Sequence, residues 1–347
     1  MAKKISVTPL GKATASDVAR QAGVSKWTVS RAFTEGASIS PDTLERVRQV
    51  ALELGYRPNL LARSLTKKRT NMIGLVVDEL ANPNLCPILD EVTRQLQSKG
   101  YLSMLLNITS EHKGTILSLA DQFQVNGLIF LGTVLTDDLV RLAQEIRDIP
   151  LIVLYRSCDN PNIQVVTTDG YRAGREIAEL LVEQGHRRIG YMAGPISEST
   201  QLKRLDGLRD GLGDKNLEVS LILEAGHYQR DCGFRALSRY LDKTSQDARV
   251  EAIFCENDIL AIGALDALHA RGETRPMAIV GFDDIELAAS PCYELTTVRQ
   301  PLEKLVGEAI RRLTANEEAT SSYFAPGTLV RRSSHLRRNL KNLISGK

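Results

Sequence analysis

The chain has 347 residues, of which 43% are hydrophobic and 25% are charged, and its formal net charge is +2. This composition is typical of a soluble globular protein with about two or three domains, and it excludes a disordered chain. Apolar runs such as 128–131 and 151–155 are far shorter than the roughly 20 residues of a membrane-spanning helix. Residues 1–12 contain lysines but no apolar core, so we expect no secretory signal and a cytoplasmic protein.

The cysteines, the histidines and the motif content argue against a metal, redox or catalytic site. The five cysteines never occur as C-x-x-C, and the five histidines show no metal-ligand spacing. The sequence contains no G-x-G-x-x-G after a strand, no P-loop, no G-x-S-x-G and no H-E-x-x-H. We therefore expect no disulfide framework, no metal, no cofactor and no catalytic residues.

Charge is distributed unevenly along the chain. Residues 1–70 contain 13 Lys and Arg against 5 Asp and Glu, whereas residues 71–347 contain 31 against 37. A basic segment on a mildly acidic body predicts one part that meets a polyanion and another part with a different task. A solvated charged surface would produce the same imbalance, so charge alone does not separate the two interpretations.

The basic segment carries the pattern of a helix-turn-helix. Thr14 and Asp17 have the form of a capping box, a short helix follows, and Gly23 is predicted to end it. Ser25 is placed to cap a second helix after a turn of about three or four residues, which is the helix-turn-helix spacing. Donor and aromatic side chains on the outward face of this helix suit the major groove of DNA. These side chains are Lys26, Trp27, Thr28, Ser30 and Arg31.

A third helix and a short basic segment complete this region. The helix is predicted from Ser40-Pro41 to Gly55, and its apolar spacing closes a three-helix core. Pro58 then ends the bundle, and residues 59–65 form at most a marginal helix before the basic tract 67–69. We assign residues 1–58 to a helix-turn-helix domain and residues 59–71 to a hinge helix and linker.

Residues 72–335 alternate short apolar runs with helical periodicity. Strands are predicted at 72–77, 102–106, 127–131, 151–154, 188–192, 221–224, 252–255 and 278–281, and helices at 85–99, 115–124 and 137–147. Alternation at this spacing predicts parallel sheets covered on both faces, and the length predicts two Rossmann-like subdomains. The tail, 336–347, has leucines over barely one heptad, so we expect a frayed end rather than a tetramer-forming helix.

Polar side chains stand where several of these strands end. Asp169 follows a further predicted strand at 165–167, and Asn257 and Asp283 follow the strands at 252–255 and 278–281. Arg204 stands early on a helix. In open α/β sheets ligands bind outside the carboxyl ends of the strands, and such groups suit the hydroxyls of a sugar. Each carboxylate or amide is equally well placed to cap the helix that follows it, and the sequence leaves both roles open.

Seven segments, in order, resemble the LacI/GalR (lactose-repressor) family of bacterial transcription regulators over about residues 14–335. They are DVARQAGVSKWTVSRAF, LGYRPNLLARSL, NMIGLVV, EQGHRRIGYMAGP, ENDILAIGALDAL, IVGFDDIELA and LTTVRQPLEKL. The resemblance implies an N-terminal helix-turn-helix domain and hinge helix joined to a periplasmic-binding-protein-like α/β core. It implies that the chain crosses between the subdomains near 183–188, 298–302 and 324–328. It also implies a homodimer that binds a palindromic double-stranded operator and senses a small molecule, usually a sugar or a nucleobase.

The resemblance assigns DNA-contacting roles to matching positions. Lys26, Trp27 and Arg31 would read bases, and Thr28 and Ser30 would hold phosphates. The hinge residues implied to contact DNA are Asn59, Ala62, Arg63 and Leu65. The leucine among them would wedge into the central minor-groove step and kink the duplex. Residues 34–38 depart from the usual Asn-Gly turn of the family, which affects the expected shape of that turn.

The resemblance also places an effector cleft between the two subdomains. The expected contacts with the effector are Asn82, Asn84, Arg156, Asp169, Arg204, Tyr228, Asn257, Asp283 and Gln300. Tyr228 would supply an aromatic wall, and residues 82–85 replace an aromatic-rich stretch that is common in the family. Arg156 and Arg204 would accommodate an acidic sugar such as an aldonate, although Arg204 matches a residue that also serves neutral sugars.

Three classes of function are compatible with this organisation. We favour a ligand-responsive DNA-binding transcription regulator, a repressor that senses a sugar or sugar acid. A sugar-binding transport protein shares the α/β fold, but the basic segment and the missing signal peptide argue against it. An α/β enzyme acting on sugars is disfavoured by the missing catalytic motifs.

Overall fold

The computed structural model describes residues 13–34, 36–57, 70–78, 80–108, 118, 120–131, 149–158, 160, 163–196, 201–272, 277–315 and 322–337. The chain divides into two compact units, Met1–Thr70 and Asn71–Lys347. The predicted hinge at 59–65, the basic tract 67–69 and the helix at 137–147 lie outside the described residues. Residues 115–117 and 119 of the helix predicted at 115–124 and most of the tail also lie outside them.

The first unit is a bundle of three helices, as the sequence predicts. They are α1 (Ala15–Ala22), α2 (Lys26–Ala32) and α3 (Pro41–Glu53). Thr14 and Asp17 form the predicted capping box, and Gly23 ends α1 at a φ of 64°, a conformation that glycine adopts without a steric penalty. The small apolar core is made by Val18, Ala19, Ala22, Val29, Ala32, Val47, Val50 and Ala51.

The second unit contains two parallel sheets and a short ribbon. Its strands are β1 (Met72–Val77), β2 (Leu102–Asn107), β3 (Gly127–Phe130), β4 (Leu151–Leu154), β5 (Gln164–Thr168), β6 (Ile189–Ala193), β7 (Val219–Glu224), β8 (Ala252–Cys255), β9 (Ala278–Val280), β10 (Thr297–Arg299), β11 (Tyr323–Ala325) and β12 (Thr328–Val330). Its helices are α4 (Leu85–Ser98), α5 (Gly170–Glu183), α6 (Arg204–Gly213), α7 (Arg230–Lys243), α8 (Asp258–Ala270) and α9 (Leu302–Thr314).

Each parallel sheet is the centre of one lobe. The six-stranded sheet has the order β11-β5-β4-β3-β1-β2, and the four-stranded sheet has the order β7-β6-β8-β9. β3 and β8 are buried along their whole length, as expected for parallel strands with apolar cover on both faces. α4 and α9 pack on the first sheet, whereas α5 and α6 cover one face of the second sheet and α7 and α8 contribute to a separate apolar cluster. This architecture confirms the predicted fold class.

Within the part of the second unit that the structure describes, the chain passes between the lobes three times, and one of these passages differs from the prediction. α5 packs with the second sheet, because Ala173, Ile177 and Leu181 share an apolar cluster with Ile189. The first passage therefore lies between β5 and α5, at residues 168–170, and the expectation of a crossing near 183–188 was wrong. The other two passages join β10 to α9 and β11 to β12. β10 and β12 pair with each other in an antiparallel ribbon.

Candidate functional site

The second helix of the first unit presents the side chains expected to meet DNA. Trp27 is 65% exposed, a large fraction for a tryptophan, and Lys26 and Ser30 are exposed beside it. Ser25 caps α2, since its side chain accepts a hydrogen bond from the backbone N–H of Thr28 at 3.1 Å. The helix therefore begins with a cation and a wide aromatic surface at its first turn.

Arg31 is held in place on this surface. Its guanidinium lies 4.3 Å from the centroid of the Trp27 ring, and it donates a hydrogen bond to the carbonyl of Ser38. The turn after α2 is thus tied to the helix through the arginine, although this turn departs from the usual family sequence. Arg31 and Trp27 therefore form one stacked pair on the exposed face of α2.

The second unit contains a cleft lined by residues from both lobes. The lining residues are Asp78, Asn82, Asn84, Leu85, Ile88, Leu131, Tyr155, Arg156, Leu202, Arg204, Tyr228, Asn257, Asp283 and Gln300. Eight of the nine effector contacts expected from the sequence are in this set. The cleft stands at the carboxyl ends of the parallel strands, where ligands bind in open α/β sheets.

Arg204 enters the cleft from the first residue of α6. It is 5% exposed, its Nη1 donates to the carbonyl of Glu256, and its guanidinium lies 3.4 Å from the centroid of the Phe282 ring. A Cβ added at Gly174 would lie 2.2 Å from the carbonyl oxygen of Arg204. One added at Gly207 would lie 1.9 Å from the carbonyl oxygen of Tyr171. Only glycine lets the backbones of α5 and α6 approach this closely, and the contact positions Arg204.

Tyr228 forms part of a hydrogen-bonded group behind the cleft. Its hydroxyl donates to Glu256, and the hydroxyl of Tyr191 donates to the other carboxylate oxygen at 3.0 Å. Arg156, which follows the end of β4, donates to the Tyr228 hydroxyl at 3.4 Å and is 8% exposed. The predicted aromatic wall is therefore also a polar link between Glu256 and the arginine of the first lobe.

Asp283 and Gln300 link the second lobe to the chain passages between the lobes. The Gln300 side chain donates to Asp283 Oδ1 at 2.8 Å, and Thr168 Oγ1 donates to Gln300 Oε1 at 2.7 Å. Thr168 stands at the first passage and Gln300 at the second, so these hydrogen bonds join Asp283 to two of the segments that connect the lobes.

The backbone around Asp283 is strained and strongly supported. Asp283 and Asp284 have φ angles of 123° and 58°, which are unusual for residues with a side chain. Asp284 accepts hydrogen bonds from Arg299 and Arg332, each at 2.6 Å. Asp258 accepts from the Thr297 hydroxyl at 2.6 Å and from a backbone N–H at 2.9 Å. These contacts hold the loop in a conformation that it would otherwise leave.

Asn257 and Asp169 each cap a helix, but only one of them also lines the cleft. Asn257 caps α8 by accepting from the N–H of Leu260 at 3.1 Å, and it also lines the cleft, so both roles coexist. Asp169 caps α5 by accepting from the N–H of Arg172 at 2.9 Å, but it is absent from the lining of the cleft. The Asp169 carboxylate thus serves the helix N-terminus, and a contact between Asp169 and the effector stays a prediction from the sequence.

Sequence reasoning missed two polar residues of the cleft. Asp78 directly follows β1, and Tyr155 directly follows β4, so both stand at the carboxyl ends of strands. The rule that located Asn257 and Asp283 could have located them as well. Leu131 and Ile88 add apolar surface that periodicity assigns to the core rather than to a site.

The two parts of the chain match models of one family. The model described as "Bacterial regulatory proteins, lacI family" matches residues 14–59, and that described as "Periplasmic binding proteins and sugar binding domain of LacI family" matches residues 70–309. The chain belongs to the LacI family of bacterial transcription regulators. The resemblance seen in its sequence is thereby confirmed. Across the described ranges, no helix combines the length and apolar character needed to cross a membrane.

Relatives of this LacI-family chain are repressors. It is 30% identical over 335 residues to the HTH-type transcriptional repressor PurR of Haemophilus influenzae strain PittEE, which covers 92% of this chain and 98% of that repressor. The PurR repressor of Klebsiella pneumoniae strain 342 is 30% identical over 334 residues, with coverage of 92% and 96%.

Solved structures of family members agree with this LacI-family fold. The lac repressor dimer bound to operator and the anti-inducer ONPF has a TM-score of 0.83 and 26% identity, with coverage of 94% of this chain and 100% of that one. The complex of the regulator CelR with cellobiose has a TM-score of 0.68 and 27% identity, with coverage of 93% and 99%. The chain is therefore a DNA-binding transcription regulator with a ligand-binding domain, and not an enzyme.

The carboxyl group of Asp283 is expected to make the stability of this LacI-family regulator depend on pH. Burial raises the pKa of Asp283 to about 8, while Arg204 opposes the rise and Asp258 adds to it. In the unfolded chain the pKa of an aspartate is about 3.9. The folded protein thus holds the proton more tightly, and this contribution to stability is lost as the pH rises from about 4 to about 8.

We expect the melting temperature of Asp283→Asn, relative to the wild type, to increase over that pH range and then level off, because the amide stays neutral. Thermal melts at steps from pH 5 to pH 9 measure the difference, and Asp206→Asn, an exposed substitution on α6, is the matched control. A difference between Asp283→Asn and the wild type that stays constant from pH 5 to pH 9 would contradict the prediction.

Proposed function

We propose that this protein is a ligand-responsive repressor that binds a palindromic operator as a homodimer and senses a sugar or sugar acid in the cleft. The observation that carries the proposal is the convergence of donors and acceptors from both lobes on the cleft. Two guanidinium groups, two carboxyl groups, four amides and two phenols line it. A ligand rich in hydroxyls offers paired donors and acceptors that satisfy such a lining.

The first unit supplies the contacts with DNA in this proposal. Trp27 and Arg31 would read base edges together with Lys26, and Thr28 and Ser30 would hold phosphates. The support is the exposed first turn of α2 and the excess of basic residues in 1–70. The hinge contacts at Asn59, Ala62, Arg63 and Leu65 stay a prediction from the sequence. Because operator DNA is the partner, we place the protein in the cytoplasm.

An exposed apolar groove supports the proposed dimer. Pro83, Pro87, Ile285 and Leu287 line one open groove of the second unit, and Leu287 is 40% exposed. A second copy of the chain that packs on this groove would remove these apolar side chains from water. A symmetric dimer also matches the two halves of a palindromic operator.

We expect the purified protein to sediment as a dimer at micromolar concentration. Leu287→Glu should shift it toward the monomer, because a charge in the covered groove would lose its hydration. Ile222→Glu is the matched control, since Ile222 is 44% exposed on β7 and outside the groove. A wild-type monomer, with and without DNA, would contradict the dimer, and equal behaviour of the two variants would contradict the groove as its interface.

The effector is expected to appear as a thermal stabilisation in a screen of sugars, sugar acids and nucleobases. A ligand at 100 times its dissociation constant adds about 2.7 kcal/mol to the free energy of unfolding. Arg204→Met should then weaken binding by about 10- to 150-fold, because a hydrogen bond to a charged group contributes about 1.5–3 kcal/mol.

Arg209→Met is the matched control for Arg204→Met. Arg209 lies on the same helix with a side chain that is 51% exposed, and it is not in the lining of the cleft. The Arg204→Met variant should still bind operator but fail to respond to the effector. The proposal is wrong if no sugar, sugar acid or nucleobase stabilises the protein, or if both arginine variants bind the effector equally well.

A further inference from the structure

We propose that the effector of this cleft is a sugar carboxylate, an aldonate or uronate, held between Arg156 of the first lobe and Arg204 of the second. The inference rests on the proposed function and makes it more specific, because it selects an anionic sugar over a neutral one. It assigns Arg156 the role of the residue that distinguishes the acid from the parent sugar.

Both arginines are buried and both line the cleft. Their exposed fractions are 8% for Arg156 and 5% for Arg204, and each is held by the second lobe, Arg156 through the Tyr228 hydroxyl and Arg204 through the carbonyl of Glu256. They come from facing elements, since Arg156 follows β4 in the first lobe and Arg204 begins α6 in the second. Two guanidinium groups that approach one cleft from opposite lobes are a natural arrangement for a carboxylate, which accepts hydrogen bonds on both of its oxygens.

Arg204 has a donor that the protein does not use. Its Nη1 donates to the carbonyl of Glu256 and its plane lies against Phe282, yet its Nε is buried and has no hydrogen-bond partner among the residues that the structure describes. A buried charged donor without an acceptor is costly, so a ligand that provides the acceptor gains that free energy on binding. An ionised carboxylate provides acceptors only, and charge-assisted hydrogen bonds of this kind are the strong ones.

Tyr155 provides a second unused donor at the same place. Its hydroxyl is buried without a hydrogen-bond partner within the described ranges, and its backbone has a φ of 70°. Burial raises the pKa of Tyr155, with further contributions from Asp283 and Glu91, so the phenol keeps its proton and remains a donor. A non-glycine residue at positive φ is strained, and such strain persists where the surrounding structure imposes it, often at ligand sites.

The two guanidinium groups of the lining are the groups with which an anion would pair. Arg156 and Arg204 face two carboxyl groups, Asp78 and Asp283, and the pKa of Asp283 near 8 leaves that group mostly protonated at pH 7. Glu256 offsets part of the positive charge from behind Tyr228, but both of its oxygens already accept hydrogen bonds from phenols. A ligand carboxylate therefore meets two guanidinium groups and two unused donors, with Asp78 as the one carboxyl group that it must avoid.

The test compares acids with their neutral parents by titration calorimetry on the full-length protein. The pairs are galacturonate with galactose, glucuronate with glucose, and gluconate with glucitol, and glucose 6-phosphate tests a phosphate as the anion. We expect one of the acids to bind at least about 10-fold more tightly than its parent, because hydrogen bonds between charged groups are stronger than those between neutral groups.

Variants of Arg156 separate its role from that of the fold. Arg156→Gln should weaken binding of the acid by about 10-fold or more and change binding of the neutral parent by less than about two-fold. Arg156→Lys keeps the charge and should retain part of the affinity, because lysine lacks the planar fork of arginine. Arg172→Gln, on the exposed side of α5, is the matched control. If Arg156→Gln fails to fold, the lysine variant still tests the role of Arg156. The comparison of each acid with its neutral parent in the wild-type protein still tests the preference for a carboxylate.

Each other outcome overturns the inference in a distinguishable way. If a neutral sugar binds as tightly as its acid, the cleft does not select for a carboxylate, and the proposed function still stands. Tighter binding of the phosphate ester than of every carboxylate overturns the choice of anion. If only a nucleobase binds, the effector is not a sugar, which contradicts both this inference and the sugar in the proposed function. If no compound of the whole panel binds, both proposals are wrong.

Discussion

Replacing Arg31 with alanine is expected to weaken the discrimination between operator and unrelated DNA. A bidentate contact between an arginine and a base contributes about 1–3 kcal/mol, which corresponds to about 5- to 150-fold in relative affinity. The substitution also removes the stacking on Trp27 and the hydrogen bond to the carbonyl of Ser38. Titrations of operator and random DNA at one salt concentration measure the ratio of the two affinities.

Two further variants test the reason for the loss. Arg31→Lys keeps the charge but lacks the planar fork, so it should bind random DNA normally and still discriminate poorly. Arg20→Ala removes an arginine on α1 whose side chain is 79% exposed, and it should lower both affinities slightly and equally. If Arg31→Ala lowers operator and random binding by the same factor, Arg31 contacts phosphate and does not read a base.

Gly207→Ala is expected to destabilise the second unit strongly, whereas Gly213→Ala on the same helix is not. The new Cβ at position 207 would lie 1.9 Å from the carbonyl oxygen of Tyr171, so α5 and α6 must move apart. Overpacking of this kind costs about 1–3 kcal/mol or more, which lowers the melting temperature by about 2–10 °C. At Gly213 no atom lies within 4 Å of the added Cβ, and alanine should be neutral or stabilising by up to about 1 kcal/mol.

The same pair of variants tests how Arg204 reaches the cleft. A displaced α6 carries Arg204 away from Glu256 and Phe282, so Gly207→Ala should weaken effector binding at a temperature where it is still folded. Gly213→Ala should bind the effector as the wild type does. Melting curves and effector titrations measure both effects, and two variants that melt within about 1 °C of each other would contradict the close contact of the helices.

Much of the architecture could be predicted because its signals are local. The capping box at Thr14, the cap at Ser25 and the stop at Gly23 each act within a few residues, so the sequence predicts the helix-turn-helix closely. Apolar runs alternating with helical periodicity likewise predict two parallel sheets. The first passage between the lobes could not be predicted, because periodicity shows that α5 has an apolar face but not which sheet that face covers.

The residues of the cleft cannot all be identified from local sequence patterns. Asp169 and Asp283 both follow buried strands, and nothing in their neighbours along the chain separates them. In the folded protein Asp169 accepts a helix N–H and lies outside the cleft, whereas Asp283 is held by Gln300 and faces Arg204. Tyr155 was missed for the same reason, since a tyrosine after a strand is equally consistent with the core.

By itself, then, the sequence determined the family, the three-helix unit that meets DNA, the strand and helix content of the body, and most of the residue types in the cleft. Tertiary structure alone decided which of these residues share one site. Sheet order brings the ends of β1 and β4 to the cleft, and the close contact of α5 and α6 at Gly174 and Gly207 brings Arg204 to face them. Such contacts join residues far apart in the chain, and they depend on packing that no stretch of sequence carries alone.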